Sequence, residues 1–380
     1  MDVSDRPRDD APIYLDHNAT TPLCPEARAA MVAAMDGWGN PSSTHVFGRR
    51  ARALIEAARA DVAALIGAEP DEIVFTSGGT EANNLAIHGV AQRRHGAVVI
   101  SAIEHPATAA PAAALRERGR DARVLGVDRR GRVELDPGAL AGAAIVSVMH
   151  ANNETGVIQP IAELAEAAGA AGAIVHTDAA QSVGKVPVDV GALGVDLLSI
   201  AGHKLYGPKG VGALYVRRGV ELVPFVRGAG HERGLRPGTE NVVGIAGLGA
   251  ACRVVGGDLI AEGERVAALR DELVARVSAE VPGLAVNGDG APRLPNTASL
   301  RFPGVSGASL LADLPELAAS AGSACHEGVE SPSAVITAMG VEAREALGTV
   351  RLSLGRGTKP DEIHAAVELL ASAWTRRRDS

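Results

Sequence analysis

Short apolar runs rich in β-branched residues alternate along this chain with alanine-rich stretches of helical period. The runs fall at 72–76, 97–101, 123–127, 144–148, 173–177, 196–200 and 211–216, and each reads as a buried strand. Helical segments such as 80–94 and 161–171 separate most of them. The alternation predicts an α/β fold: a mostly parallel seven-stranded sheet with helices on both faces. Only residues 201–210 join the last two strands, too few for a crossover helix, so that pair is expected to be antiparallel. A long helical region runs from Gly244 through Ile260 to Ala279. Beyond it lie strands at 284–286, 297–302 and 350–354 and a final helix from Asp361. This part reads as a smaller α+β domain. The expected division is 15–255 for the large domain and 256–380, with the N-terminal segment 1–14, for the small one.

In parallel α/β sheets, ligands bind beyond the carboxyl ends of the strands. Polar groups collect at those ends here: Thr76-Ser-Gly-Gly-Thr-Glu81 after the first strand, Glu104-His105 after the second, Asn152-Asn-Glu154 after the fourth, Asp178-Ala-Ala-Gln181 after the fifth and His203-Lys204 after the sixth. Singly, each has an ordinary reading as a solvated lysine, a helix cap, a structural histidine or a turn amide. Together they form a kit. Glycines before a helix let the backbone approach a phosphate, with Thr80 adding a hydroxyl. A carboxylate closing a buried strand, Asp178, suits a protonated ring nitrogen. His105 offers a flat plate or an acid/base, and Asn153 and Gln181 are amides suited to a phenolic oxygen. Lys204 is an amine that condenses with an aldehyde. Pyridoxal 5'-phosphate presents all of these partners in one molecule.

Composition narrows the partners. Of 380 residues, 46% are hydrophobic and 22% charged, the profile of a globular protein, and the net charge is −8 with no basic run except Arg376–Arg378. Nucleic acid and anionic membranes are therefore not expected partners. No uninterrupted apolar stretch reaches the length of a membrane span, and the charged N-terminus has no signal-like apolar core, so the expected compartment is the cytoplasm. Three scattered cysteines, Cys24, Cys252 and Cys325, make neither a disulfide framework nor a zinc site, and no metal is expected. Cys325 lies in the small-residue stretch Ser320-Ala-Gly-Ser-Ala-Cys-His-Glu-Gly328, which suits a mobile loop. Cys24 and Cys252 read as packing.

The sequence resembles a group I cysteine desulfurase of the class V aminotransferase family. The resemblance rests on YLDHNATTP (14–22), GNPSSTH (39–45), FTSGGTEANNLAI (75–87), EHPA (104–107), MHANNETG (149–156), HTDAAQSVGK (176–185), AGHKLYGPKGVGALY (201–215), GHERGLRPGTEN (230–241), ASAGSACHEG (319–328) and VRLSLGR (350–356). It implies the fold of the fold-type I pyridoxal phosphate enzymes and a homodimer. It implies that Lys204 is the Schiff-base lysine, that Asp178 pairs with the pyridine nitrogen and that Gln181 and Asn153 lie at the phenolic oxygen. His105 stacks on the ring and moves protons. Gly79, Thr80 and His203 hold the phosphate, with Thr239 reaching in from the other subunit. Arg351, with Asn153, binds the substrate carboxylate, and Cys325 is the nucleophile that takes sulfur from L-cysteine as a persulfide, leaving L-alanine. The sulfur then passes to an acceptor protein. Two departures stand out: Ala201 replaces a phosphate-binding serine common in the family, and His326-Glu327 follow the cysteine where Thr-Ser is usual. The cysteine–histidine pair is also similar to selenocysteine lyases, which keeps that activity, or another β-lyase reaction, as the alternative; a non-catalytic partner protein is disfavoured by the presence of both Lys204 and Cys325. The chain ends soon after its last helix, without the long tail with which housekeeping members dock the iron–sulfur scaffold protein, and the acceptor stays unidentified.

Overall fold

Seven strands form the central sheet, in the order Ile73–Thr76, Gly212–Val216, Leu197–Ala201, Ile174–Asp178, Ala143–Ser147, Ala97–Ser101, Ala122–Leu125. The computed structural model describes residues 12–379 apart from 323, 327 and 328, with the backbone alone at 324–326 and 329. Gly212–Val216 runs antiparallel to both its neighbours, and the other pairs are parallel. Its short connection holds only the 3-10 turn Gly202–Lys204, so the chain reverses there instead of crossing over. Alternate residues of a strand face opposite sides, and both sides here are packed. Phe75, Val99, Val146, Leu198 and Ala213 join one apolar cluster with the helices Val46–Leu65 and Val242–Gly257. Val74, Val98, Ile145, Leu197 and Leu214 join another beneath the helix Gly79–Arg93.

Two expectations shift. The third strand is Ala122–Leu125, ending before Gly126; Val127 makes only an isolated bridge to Val133. The long helix expected from Gly244 to Ala279 is two helices, Val242–Gly257 and Leu259–Glu280, at 74°. Gly256-Gly257 is the cause, since glycine is the weakest helix former after proline, and the chain turns at Asp258. No single described helix is long and apolar enough to cross a membrane.

The second part is a four-stranded sheet in the order Ser320–Ala321, Thr349–Ser353, Thr297–Arg301, Ala285–Val286. Its core packs Leu300 and Leu352 against Leu273 and Leu370 of the helices Leu259–Glu280 and Pro360–Arg378. Leu15 is buried in this same core, and Ile13–Tyr14 pair with Leu317–Ala318. The next residues, Asp16 to Ala19, pass between the two sheets to the cleft described below.

A buried ion pair braces the edge strand that leads into the cleft. Arg59 donates to both Glu232 oxygens at 2.8 and 2.7 Å and to the Ile73 carbonyl at 2.8 Å, and Glu232 also accepts from the Phe75 N–H at 2.8 Å. Glu232 and Arg233 have φ of +44° and +57°, unusual for non-glycine residues. Removing one partner of such a pair strands a buried charge, a loss of about 3–5 kcal/mol. Arg59→Met is therefore expected to lower urea-unfolding stability by about that amount. A loss below about 1 kcal/mol, the worth of a surface pair, would show that the brace is unimportant.

Candidate active site

A cleft of about 420 Å³ opens at the carboxyl ends of the parallel strands. Gly79, Thr80, His105, Asn153, Asp178, Gln181, His203, Lys204 and Arg351 all line it, so the structure brings these residues together although they span almost the whole chain. Thr239 is exposed and lies outside this chain's cleft. The Cys325 backbone belongs to the strand Ala324–His326, opposite Glu330 of Val329–Ser331; its side chain lies outside the described residues.

The helix Gly79–Arg93 starts at the cleft with no side-chain cap. Its N-cap, Gly78, has φ +150°, and a Cβ there would meet open space. The Ser77 N–H is bonded to Glu81 at 2.7 Å and the Gly78 N–H to Thr76 Oγ1 at 3.3 Å. An uncapped helix N-terminus with an open approach is an anion cradle. Ala201 is buried beside it: a Cβ on Gly79 would lie 3.3 Å from the Ala201 Cβ, so position 201 faces this cradle but brings no hydroxyl.

Asp178 is buried at the end of its strand. Its carboxylate accepts from Asn83 Nδ2 at 2.7 Å and from the Ala180 N–H at 2.9 Å. Both donors are neutral, and no described arginine, lysine or histidine forms an ion pair with it. A buried carboxylate in this state suits a cationic ligand. His105 opens onto the cleft, and its Nδ1 accepts from the Ala107 N–H at 3.1 Å, which leaves the proton on Nε2. Burial holds its pKa below the ordinary value, against the attraction of Asp178. His203 pairs its Nδ1 with Thr20 Oγ1 at 3.1 Å, and burial lowers its pKa to about 4. Both rings are therefore neutral near pH 7.

The Lys204 amine donates to the carbonyls of Asn18 and Ala19, the latter at 2.8 Å. Among the described residues it has no carboxylate partner. Burial, and next the charge of Arg351, lower its pKa to about 8, opposed by Asp178 and Asp16. Arg351 donates to Asp16 Oδ1 at 2.6 Å, Ser320 Oγ at 2.8 Å and the Asn153 carbonyl at 3.1 Å. Its Nε is buried without a partner, a donor left over for an anionic ligand.

Three residues of this arrangement escaped the sequence reading. Asn83 orients Asp178, Asn18 supplies the carbonyl on which Lys204 rests, and Lys185 donates to Gln181 Oε1 at 2.7 Å. The available signal for Asn83 was an amide among the buried positions Ala82, Leu85 and Ala86. The neighbouring amides Asn152 and Asn153 divide their work. Asn152 Oδ1 closes the turn by accepting from the Glu154 and Thr155 N–H groups at 2.9 Å, while Asn153 faces the cleft. Cys24 and Cys252 are buried, and burial raises both thiol pKa values, as packing residues require. No cluster of described residues is suited to a metal ion.

The family model for aminotransferase class-V matches residues 13–365. The chain belongs to this family, among its cysteine desulfurases. A cysteine desulfurase IscS of Dictyoglomus turgidum is 43% identical over 371 residues, covering 94% of this chain and 93% of that one. A solved NifS-like protein superposes with a TM-score of 0.88 at 33% identity, covering 96% of this chain and 99% of that one. A structure of SspA in complex with cysteine gives a TM-score of 0.80 at 34% identity, over 90% and 98% of the two chains. The family uses pyridoxal phosphate, and this class-V cleft fits it: an uncapped helix start for phosphate, an acid without a cation for the ring nitrogen and an amine without an acid for the aldehyde.

The lowered Lys204 pKa is open to measurement. An amine with a pKa of about 8 is half neutral near pH 8, whereas an ordinary lysine reaches that point at 10.5. In cofactor-free protein, acylation of Lys204 followed by peptide mass spectrometry should rise with a midpoint near pH 8. Arg351→Met removes a cation that depresses it and frees Asp16, so the midpoint should move up. A midpoint above 10 in the unmodified chain would refute this reading of the cleft.

Proposed function

We propose that this protein acts as a cytoplasmic homodimer that converts L-cysteine to L-alanine and holds the released sulfur on Cys325 as a persulfide for an acceptor protein. The observation that carries the proposal is the Lys204 amine, with its lowered pKa, in one cleft with the uncapped helix start at Gly79 and the cation-free acid Asp178. Cysteine bound to the related SspA structure agrees with the substrate.

Bound pyridoxal phosphate would supply an electron-withdrawing ring that stabilises negative charge at the substrate Cα. Gly79, Thr80 and His203 would hold its phosphate, with Thr239 of a second copy, and Asp178 its ring nitrogen. Gln181 and Asn153 would lie at its phenolic oxygen and His105 against its face. Arg351, whose Nε has no partner, would hold the substrate carboxylate, and Lys204 would act at the substrate Cα. Near pH 8 Lys204 is half neutral, so it serves as base at Cα and as acid afterwards. The Cys325 thiolate attacks the substrate sulfur. An S–S bond forms, the Cβ–S bond breaks, and its electron pair stays with the three-carbon fragment, which takes up a proton to become alanine. The sum is L-cysteine plus a thiol giving L-alanine plus a persulfide. His326 follows the thiol in the chain, and a neighbouring imidazolium favours the thiolate.

Cys325→Ala removes the nucleophile and none of the cleft groups. The variant should bind cofactor and change its visible spectrum with L-cysteine, as the unmodified protein does, yet release alanine at least about 100-fold more slowly, as expected when a covalent step is lost. Lys204→Ala should abolish the cofactor–protein bond that borohydride fixes. Full alanine release by Cys325→Ala would refute the persulfide route. Turnover of L-selenocysteine faster than that of L-cysteine at matched concentration would favour the lyase reaction instead.

A further inference from the structure

Lys185 is a half-buried lysine to which the proposed chemistry assigns no work. Its amine faces two side-chain amide oxygens: it donates to Asn18 Oδ1 at 2.9 Å and to Gln181 Oε1 at 2.7 Å. It makes no ion pair among the described residues. Burial lowers its pKa well below the ordinary value, with the charges of Lys204 and Arg351 adding to the effect. A lysine in this position is costly to bury, and a methionine would fill the same space without that cost.

The geometry gives the amine a purpose. An amide can present either its oxygen or its NH2 to a given side, and only its partners decide which. An amine carries hydrogens to donate whether it is charged or neutral, so Lys185 holds Gln181 Oε1 on its own side. The NH2 of Gln181 must then face the other way, where it donates to the Asn18 carbonyl at 3.0 Å. That same carbonyl accepts from Lys204. The Gln181 donor and the Lys204 amine are thereby placed side by side in the cleft. The second bond of Lys185, to Asn18 Oδ1, fixes the residue that carries their shared acceptor.

We propose that Lys185 is a positioning residue that sets the orientation of the Gln181 amide, so that the cleft meets a donor beside Lys204 rather than an acceptor. The inference rests on the proposed cofactor chemistry, in which Gln181 offers that donor to an oxygen of the bound ring.

The test is a titration of cofactor-free protein with pyridoxal phosphate, read by the visible band and its pH dependence. The unmodified chain is compared with Lys185→Met, Lys185→Gln, Gln181→Ala and the double variant Lys185→Met/Gln181→Ala. Loss of one oriented hydrogen bond should weaken binding about tenfold in Lys185→Met and displace the pH midpoint of the band. Lys185→Gln keeps a donor without a charge and should restore most of both. The double variant should bind no more weakly than Gln181→Ala alone, because Lys185 acts through Gln181. Unchanged binding by Lys185→Met, or losses that add in full in the double variant, would overturn the proposal. Should Lys185→Met fail to fold, Lys185→Gln decides: a folded Lys185→Gln protein with tenfold weaker binding also overturns it. An unmodified chain that takes up no cofactor at Lys204 would instead sink the proposed function itself.

Discussion

The cleft is organised by one buried residue, Asn18. Its N–H donates to Ser353 Oγ at 2.9 Å, and its Nδ2 donates to Thr297 Oγ1 at 2.9 Å and to the Asn153 carbonyl at 3.2 Å. Its Oδ1 accepts from Lys185 at 2.9 Å and Asn296 at 3.0 Å, and its carbonyl accepts from Gln181 and Lys204. Every polar group of the residue is used. The partners come from both parts of the fold: Gln181, Lys185 and Lys204 from turns after strands of the large sheet, Thr297 and Ser353 from the small sheet, and Asn296 from the position just before its strand Thr297–Arg301. Buried polar groups without partners are costly, and a network of this kind is stable only when complete. The two cores are thus held in the one relative position that satisfies Asn18. That position brings Arg351 of the small sheet to the mouth of a cleft whose floor belongs to the large sheet.

The same packing sets the electrostatics. Lys185, Lys204 and Arg351 crowd into a space shared with two acids, Asp16 and Asp178. The histidines nearby add no charge, since burial holds His203 and His150 at a pKa of about 4 and His176 at about 3. Burial is the larger reason that a further proton on Lys204 is unfavourable, and the charge of Arg351 adds to it in a medium of low dielectric. The same guanidinium would attract an anionic ligand, and it carries the unpartnered donor suited to a carboxylate.

The sheet was legible because a strand buried on both faces leaves a run of apolar residues, and because the short link 201–210 admits no crossover. The residues at the strand ends were legible because a polar group just past such a run has few reasons to be there. Lys204, Asp178 and His105 are of this type. Asn18, Asn83 and Lys185 are not. Their chemistry consists of partners far away in sequence: Asn18 to Thr297, Asn83 to Asp178, Lys185 to Asn18. No local pattern records such pairings. The bend at Asp258 failed to register for another reason. The apolar periodicity of the two helices runs through it, and only Gly256-Gly257 marks the break.

The described residues on either side of the Cys325 segment are anchored. The strand Ser320–Ala321 pairs with Thr349–Ser353, and Ser320 Oγ bonds Asp16 at 3.0 Å and Arg351 at 2.8 Å. Gly322 packs so closely that a Cβ would lie 2.7 Å from Thr349, which excludes larger residues from this anchor. On the far side, Glu330 accepts from Ser306 Oγ at 2.6 Å, and Ser333 donates to Glu154 at 2.5 Å. Five residues span at most about 17 Å when extended, so Cys325 cannot travel further than that from Ser320. Ser320 touches the guanidinium that would hold the substrate carboxylate. On the proposed function, the guanidinium for the substrate carboxylate and the thiol for its sulfur would be linked through Ser320, five residues before Cys325.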